Sequence, residues 1–254
     1  MDNDKIGIIG GSGVYSLLSD YKNETELINT PFGDINFTKI NYKGKEIYFI
    51  PRHGKAHSIP PHMINFKANI YAFFKLGIKK ILATNAVGSL KTNLKPGEFV
   101  VLDQFIDLVS GPVTFFDGEF EVDTKDLKKK GVVHTDVTSP YNESLRNALI
   151  SSLKEFPNEI FHEFGCYVMF RGPRFESKAE INMVKNFGDV VGMTGAPEII
   201  LARELDLQYA SLNLITNFGA GLVNNTVNHE EVVELFENKI KIIQKVLFRA
   251  IELI

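Results

Sequence analysis

The sequence predicts a single α/β domain, and three observations carry that prediction. Short apolar, β-branched runs alternate with stretches of helical spacing along almost all of the 254 residues, the order expected where helices cover a sheet. At 44% hydrophobic the chain can bury a large core, and no linker-like stretch divides it into two. No internal repeat or low-complexity tract suggests a repeat array instead.

The elements follow in order. Ile6 to Ile9 reads as a strand that closes in Gly10-Gly11-Ser12-Gly13, and Glu46 to Ile50 as one that closes in Pro51-Arg52-His53-Gly54. Ile64 to Leu76 carries Phe66, Ile70, Phe73 and Phe74 at helical spacing, with Gly77 placed to end the helix. Ile81 to Ala83 is a strand that delivers Thr84-Asn85-Ala86-Val87-Gly88 as a loop. Phe99 to Leu102, Tyr167 to Phe170 and Asp189 to Gly192 read as further strands, the last leading into Met193-Thr194-Gly195 and a helix with Pro197 in its first turn. The apolar run Leu212 to Thr216 is a strand ending at Asn217, before the turn Phe218-Gly219-Ala220-Gly221. The last helix starts at the cap Asn228, with Glu231 completing a capping-box pattern. Its stripe from Val232 through Leu235, Phe236, Ile240, Ile243, Val246, Leu247 and Ala250 to Ile251 reads as core.

Composition narrows the function classes. One cysteine, Cys166, allows no disulfide within the chain and reads as a buried thiol in a reducing compartment. The polar, acidic start Met1 to Lys5 does not resemble a secretory signal, and no apolar run has the length of a membrane span, so a cytoplasmic protein without a membrane partner is expected. A formal charge of -3, from 28 basic and 31 acidic residues, argues against a nucleic-acid surface. The basic run Lys125 to Lys130 reads as a solvated face.

Candidate chemistry collects at strand ends. Glycine turns expose amide donors, Ser12 and Thr194 offer hydroxyls, and Arg52 offers a charged fork, which together are the parts of an anion pocket. Each part also has an ordinary reading: Arg52 and His53 as surface residues, Thr194 as a helix cap, and Asn217 as a turn former that bonds its own backbone. Asn217 at the tip of a buried strand also stands where open α/β sheets bind ligands. A dinucleotide fingerprint starting at Gly11 and Gly13 meets Ser16 where its third glycine belongs. No Cys or His pair has zinc-ligand spacing, and His53, His57 and His62 lie in a proline-interrupted loop, so no metal is expected. Gly11-Ser12-Gly13 lacks the spacing of a serine-hydrolase elbow.

Taken together, the segments Gly7 to Gly13, Arg52 to Gly54, Asn65 to Asn69, Thr84 to Leu90, Arg171 to Glu176, Gly192 to Glu198 and Leu214 to Asn217 resemble the trimeric purine nucleoside phosphorylase and methylthioadenosine phosphorylase family, in order along the chain. The resemblance implies a central mixed, twisted sheet flanked by helices and a homotrimer. It also implies phosphorolysis of a purine nucleoside, with inorganic phosphate as co-substrate and no cofactor or metal. It assigns Ser12, Arg52, His53, Asn85, Thr194 and the Ala86 amide to phosphate, and Phe175, Met193 and Gly219 to the nucleoside. His134 is assigned to the 5′ end of a neighbouring subunit's substrate.

The base follows from chemical complementarity. A 6-oxopurine offers an N1–H donor and a C6 carbonyl acceptor, whereas a 6-aminopurine reverses both. Glu176 can accept from N1–H, and the Asn217 amide can donate towards N7 or the carbonyl. Opposite adenine these buried groups would be left unpaired, which a hydrogen-bonding site rejects by on the order of 10⁴-fold. Aminopurine members of the family carry serine and aspartate at these two positions, so inosine and guanosine are expected substrates. His229 matches a position that bonds the ribose 5′ hydroxyl, whereas the segments at Arg52, His134 and Gly195 look more like the methylthio branch. A methylthioinosine or methylthioadenosine phosphorylase is therefore the alternative, and a nucleoside-binding protein that has lost catalysis a more distant one.

Overall fold

The computed structural model describes residues 5–11, 18, 21, 24–54, 58–109, 111–224 and 228–254. Along the chain the strands are β1 (Lys5–Gly10), β2 (Glu24–Ile28), β3 (Ile35–Tyr42), β4 (Lys45–Pro51), β5 (Lys80–Ser89), β6 (Phe99–Val101) and β7 (Gln104–Asp107). They continue as β8 (Glu121–Asp123), β9 (Lys128–Lys130), β10 (Phe161–His162), β11 (Cys166–Met169), β12 (Val190–Gly192) and β13 (Gln208–Phe218). The helices are α1 (Phe66–Lys75), α2 (Glu143–Leu153), α3 (Lys178–Val184), α4 (Gly195–Glu204) and α5 (His229–Leu253).

Among the described residues eleven strands form one mixed sheet, in the order β10-β6-β13-β5-β1-β4-β3-β2, with β12, β11 and β7 branching from β5. Alternation along its central strands builds two cores. Ile6, Ile8, Ile47 and Phe49 face α2 and α5, while Ile9, Tyr48 and Ile50 face the opposite side with α1 and α4. Strands buried on both faces read as continuous apolar runs, which is why β1 and β4 are visible in the sequence.

Several expected boundaries move. β5 does not end at Ala83 but continues to Ser89, because β13 pairs with it from Lys80 to Ser89. The polar run Thr84-Asn85 is thus strand, not loop. Asn228 caps α5 through Glu230 N, not through a capping box with Glu231. A full capping box instead opens α3, where Ser177 and Glu180 satisfy one another's amides. Gly77 does end α1, with φ +74, and Ile78 N donates back to Phe73 O at 3.0 Å. Of the basic run, Lys128 and Lys130 pair with Asp123 and Glu121 on the exposed hairpin β8–β9, but Lys129 turns inward to Glu204 O and Asp206. Cys166 is a half-buried free thiol whose pKa burial pushes up to about 11. Among the described residues no helix is long and apolar enough to cross a membrane.

Candidate active site

The topology opens a gap beside β5. On that side β1 pairs with β5 up to Ile9 opposite Ala83, and β12 takes over only at Val191 opposite Gly88. Among the described residues Thr84, Asn85, Ala86 and Val87 have no strand neighbour on that side, and a cavity lies there, at the carboxyl ends of β1, β4 and β5. This is the crevice where open α/β sheets take ligands. Its lining brings together Arg52, His53, Asn85, Ala86, Thr194, Phe175, Glu176, Met193, Asn217 and His229. Ser12, assigned to phosphate, lies outside the described residues. Gly219 is buried beside the cavity but does not line it, and its amide donates to Ser89 O at 2.8 Å. His134 is exposed between β9 and α2, outside this chain's own cavity.

Arg52, His53, Asn85 and Thr194 bring a guanidinium, an imidazole, an amide and a hydroxyl to the cavity wall. Arg52 is not a surface residue: it is 2% exposed and His53 7%. Its Nε and Nη2 donate to the two oxygens of Glu198, the latter at 2.9 Å, and its Nη1 donates to Thr84 O at 2.7 Å. A guanidinium has five N–H donors, so among the described residues two remain for a ligand. Burial alone would lower the Arg52 pKa, but the charge and hydrogen bonds of Glu198 outweigh that and hold it above its usual value. Because Glu198 neutralises Arg52, a bound anion is held chiefly by aimed donors rather than by net charge. The His53 Nδ1 lies 2.9 Å from Ile59 O, a carbonyl that can only accept. The proton therefore sits on Nδ1.

Thr194 precedes α4 but does not cap it with its side chain. The Tyr167 hydroxyl does that work instead, accepting from Thr194 N at 3.0 Å and Gly195 N at 3.1 Å. The Thr194 hydroxyl is left to the cavity, where it lies 3.3 Å from Asn85 Oδ1.

Glu176 and Asn217 line the same cavity. Glu176 is 8% exposed, and burial pushes its carboxyl above the usual range, opposed by a hydrogen bond from its own amide. A bound N–H donor would draw it back down. The segment that carries it is pinned by Arg174, which forks onto Glu180 at 2.8 Å for each bond. Gly172, at φ +67, lies so close to Met193 that a Cβ there would stand 2.5 Å from its sulfur, so the missing side chain leaves Met193 its place in the cavity wall. Asn217 is aimed by a β-bulge: register slips between Ile215 and Asn217, leaving Thr216 as the extra residue. The Thr216 hydroxyl lies 3.1 Å from Asn217 Oδ1, and Asn217 Nδ2 donates to Phe218 O at 3.0 Å. A Cβ on Gly88 would stand 3.1 Å from that nitrogen, so the missing side chain gives the amide its place.

Glu198, Tyr209, Tyr167, Asn213 and Thr216 are the supporting residues that strand-end reasoning passes over. Only Glu198 carried a signal, as a carboxylate in the first turn of a helix near expected phosphate ligands. Tyr209 donates to Glu198 Oε2 at 2.8 Å. Among the described residues no group of His, Cys, Asp or Glu could hold a metal ion.

The phosphorylase superfamily profile matches residues 5–252. The chain belongs to this superfamily. It is similar to the 6-oxopurine nucleoside phosphorylase of Pyrococcus furiosus, at 46% identity over 98% of this chain and 93% of that one. A probable S-methyl-5′-thioinosine phosphorylase of Methanocaldococcus jannaschii is 45% identical over 97% of this chain and 90% of its own. Among solved structures, a methylthioadenosine phosphorylase of Schistosoma mansoni in complex with adenine superposes with TM-score 0.87 at 33% identity, covering 98% of this superfamily member and 91% of that chain.

Proposed function

We propose that the protein splits 6-oxopurine nucleosides with inorganic phosphate, releasing the free base and ribose 1-phosphate. The observation that carries this reading is one cavity lined by Arg52, His53, Asn85 and Thr194 and by Glu176 and Asn217 together. The likeness to a 6-oxopurine nucleoside phosphorylase supports it. A phosphate oxygen bonds to the anomeric carbon as the bond to N9 breaks, and that electron pair passes into the purine. The proton carried by monohydrogen phosphate balances the departing base. Asn217 donates towards N7, where charge gathers, and Glu176 holds N1–H. No electron leaves the two substrates, so the reaction needs no redox cofactor, and these hydrogen-bond donors take the place of a metal. We extend the reading to a cytoplasmic homotrimer in which His134 reaches a neighbour's nucleoside.

The test is release of base from inosine, guanosine and adenosine with and without phosphate. Phosphate-dependent release from the two oxopurines, with adenosine poorer by orders of magnitude, is the expected result. Release without phosphate, or a preference for adenosine, overturns the reading. A methylthioinosine substrate is the second reading, favoured by Val232, which lines the cavity one helical turn from His229 on α5. Comparing kcat/KM for inosine and methylthioinosine separates the two.

A further inference from the structure

We propose that Asn213 is a positioning residue that sets the flip of the Asn85 amide, so that the cavity wall there presents an N–H and not a carbonyl oxygen. The proposal rests on the reading of that wall as a phosphate site. Asn213 lies directly opposite Asn85 in the β13–β5 register, fully buried, and it does not line the cavity.

Asn213 faces Val100 O at 3.0 Å and Ser211 O at 3.1 Å. Backbone carbonyls only accept, so the atom facing them is the Nδ2 donor. Asn213 Oδ1 must then point at Asn85, 2.8 Å away, and Asn85 must meet it with Nδ2. The opposite flip would set two oxygens against each other in a buried site. Asn85 Oδ1 is thereby turned to the Thr194 hydroxyl. The second Asn85 N–H has no partner among the described residues and remains for an anion. With an apolar residue in place of Asn213 nothing distinguishes the two Asn85 flips on that side, the Thr194 hydroxyl can serve either, and one of them points a lone pair at phosphate.

The test is a double-mutant cycle read by steady-state kinetics and by thermal protection with inorganic phosphate. Asn213→Leu should raise the phosphate KM and Kd about tenfold, while the inosine KM and kcat move by less than about threefold. Asn85→Thr supplies a hydroxyl, which has no flip to set. In that background Asn213→Leu should change the phosphate KM by less than about twofold. Equal factors in both backgrounds, or a loss shared equally by phosphate and inosine, overturn the proposal. Should Asn213→Leu not fold, Asn213→Ser is read in the same cycle, since it keeps a donor for the carbonyls but is too short to reach Asn85. A wild-type protein that phosphate protects but that releases no base overturns the phosphorolytic reading alone.

Discussion

Arg52 keeps its charge in the interior because Glu198 neutralises it. Removing one partner of a buried pair leaves the other uncompensated, so Glu198→Gln should lower stability by about 3 kcal/mol in urea unfolding. Phosphate should recover part of that loss, since a bound anion then faces the exposed charge. Asn217 belongs to the same scale with a different signature. A preorganised donor removed from a developing charge costs about 10²- to 10³-fold in kcat. Asn217→Ala should therefore lose turnover of inosine while binding it nearly as well, and unchanged turnover would remove Asn217 from the mechanism. Asn217 and Glu176 stood out as candidates through the ordered segments Arg171 to Glu176 and Leu214 to Asn217, and both line the cavity. The burial of Arg52 was not legible, because the carboxylate that permits it lies 146 residues away. Nothing local to Arg52-His53-Gly54 separates a buried ligand fork from an exposed charge.

At the scale of elements, the helix α3 carries a prediction about acid. The Arg174 and Ser177 bonds hold the Glu180 carboxyl down at about 2, below its ordinary 4.5. A depressed carboxylate contributes stability above its unfolded value and loses it as pH falls through the folded one. Glu180→Gln should therefore flatten the acid limb of Tm between those two values, and Ser177→Ala should cost about 1 kcal/mol through loss of the cap. An unchanged limb would show that this box does not hold the Glu176 segment. The motif Ser177-Lys178-Ala179-Glu180 has the residue types and spacing of the box within four residues, so this cap is a local property of the sequence. The end of β5 was obscured. Asn85 and Gly88 are poor strand formers, and the ten-residue pairing with β13, joined by β12 at Gly88 and Ser89, keeps this stretch extended. The bulge at Thr216 was equally hidden, since register is a property of two strands.

At the scale of the whole molecule, β5 is where the design is decided, because two different strands share one of its sides. The cavity is the space between their ends, and its residues come from segments as distant as Gly11 and Val232. The single chain leaves His134 exposed and outside its own cavity. Light scattering should give a mass near three times the 28.5 kDa chain, and His134→Ala should raise the nucleoside KM without changing that mass. A monomer with full activity would exclude a shared site. By itself the sequence determined the α/β class, most of the strands and helices and the residue types of the site, because burial period and turn chemistry are local properties. Only the tertiary structure decided which groups are buried, which flip each amide takes and where the cavity opens, because those depend on partners that folding alone brings together.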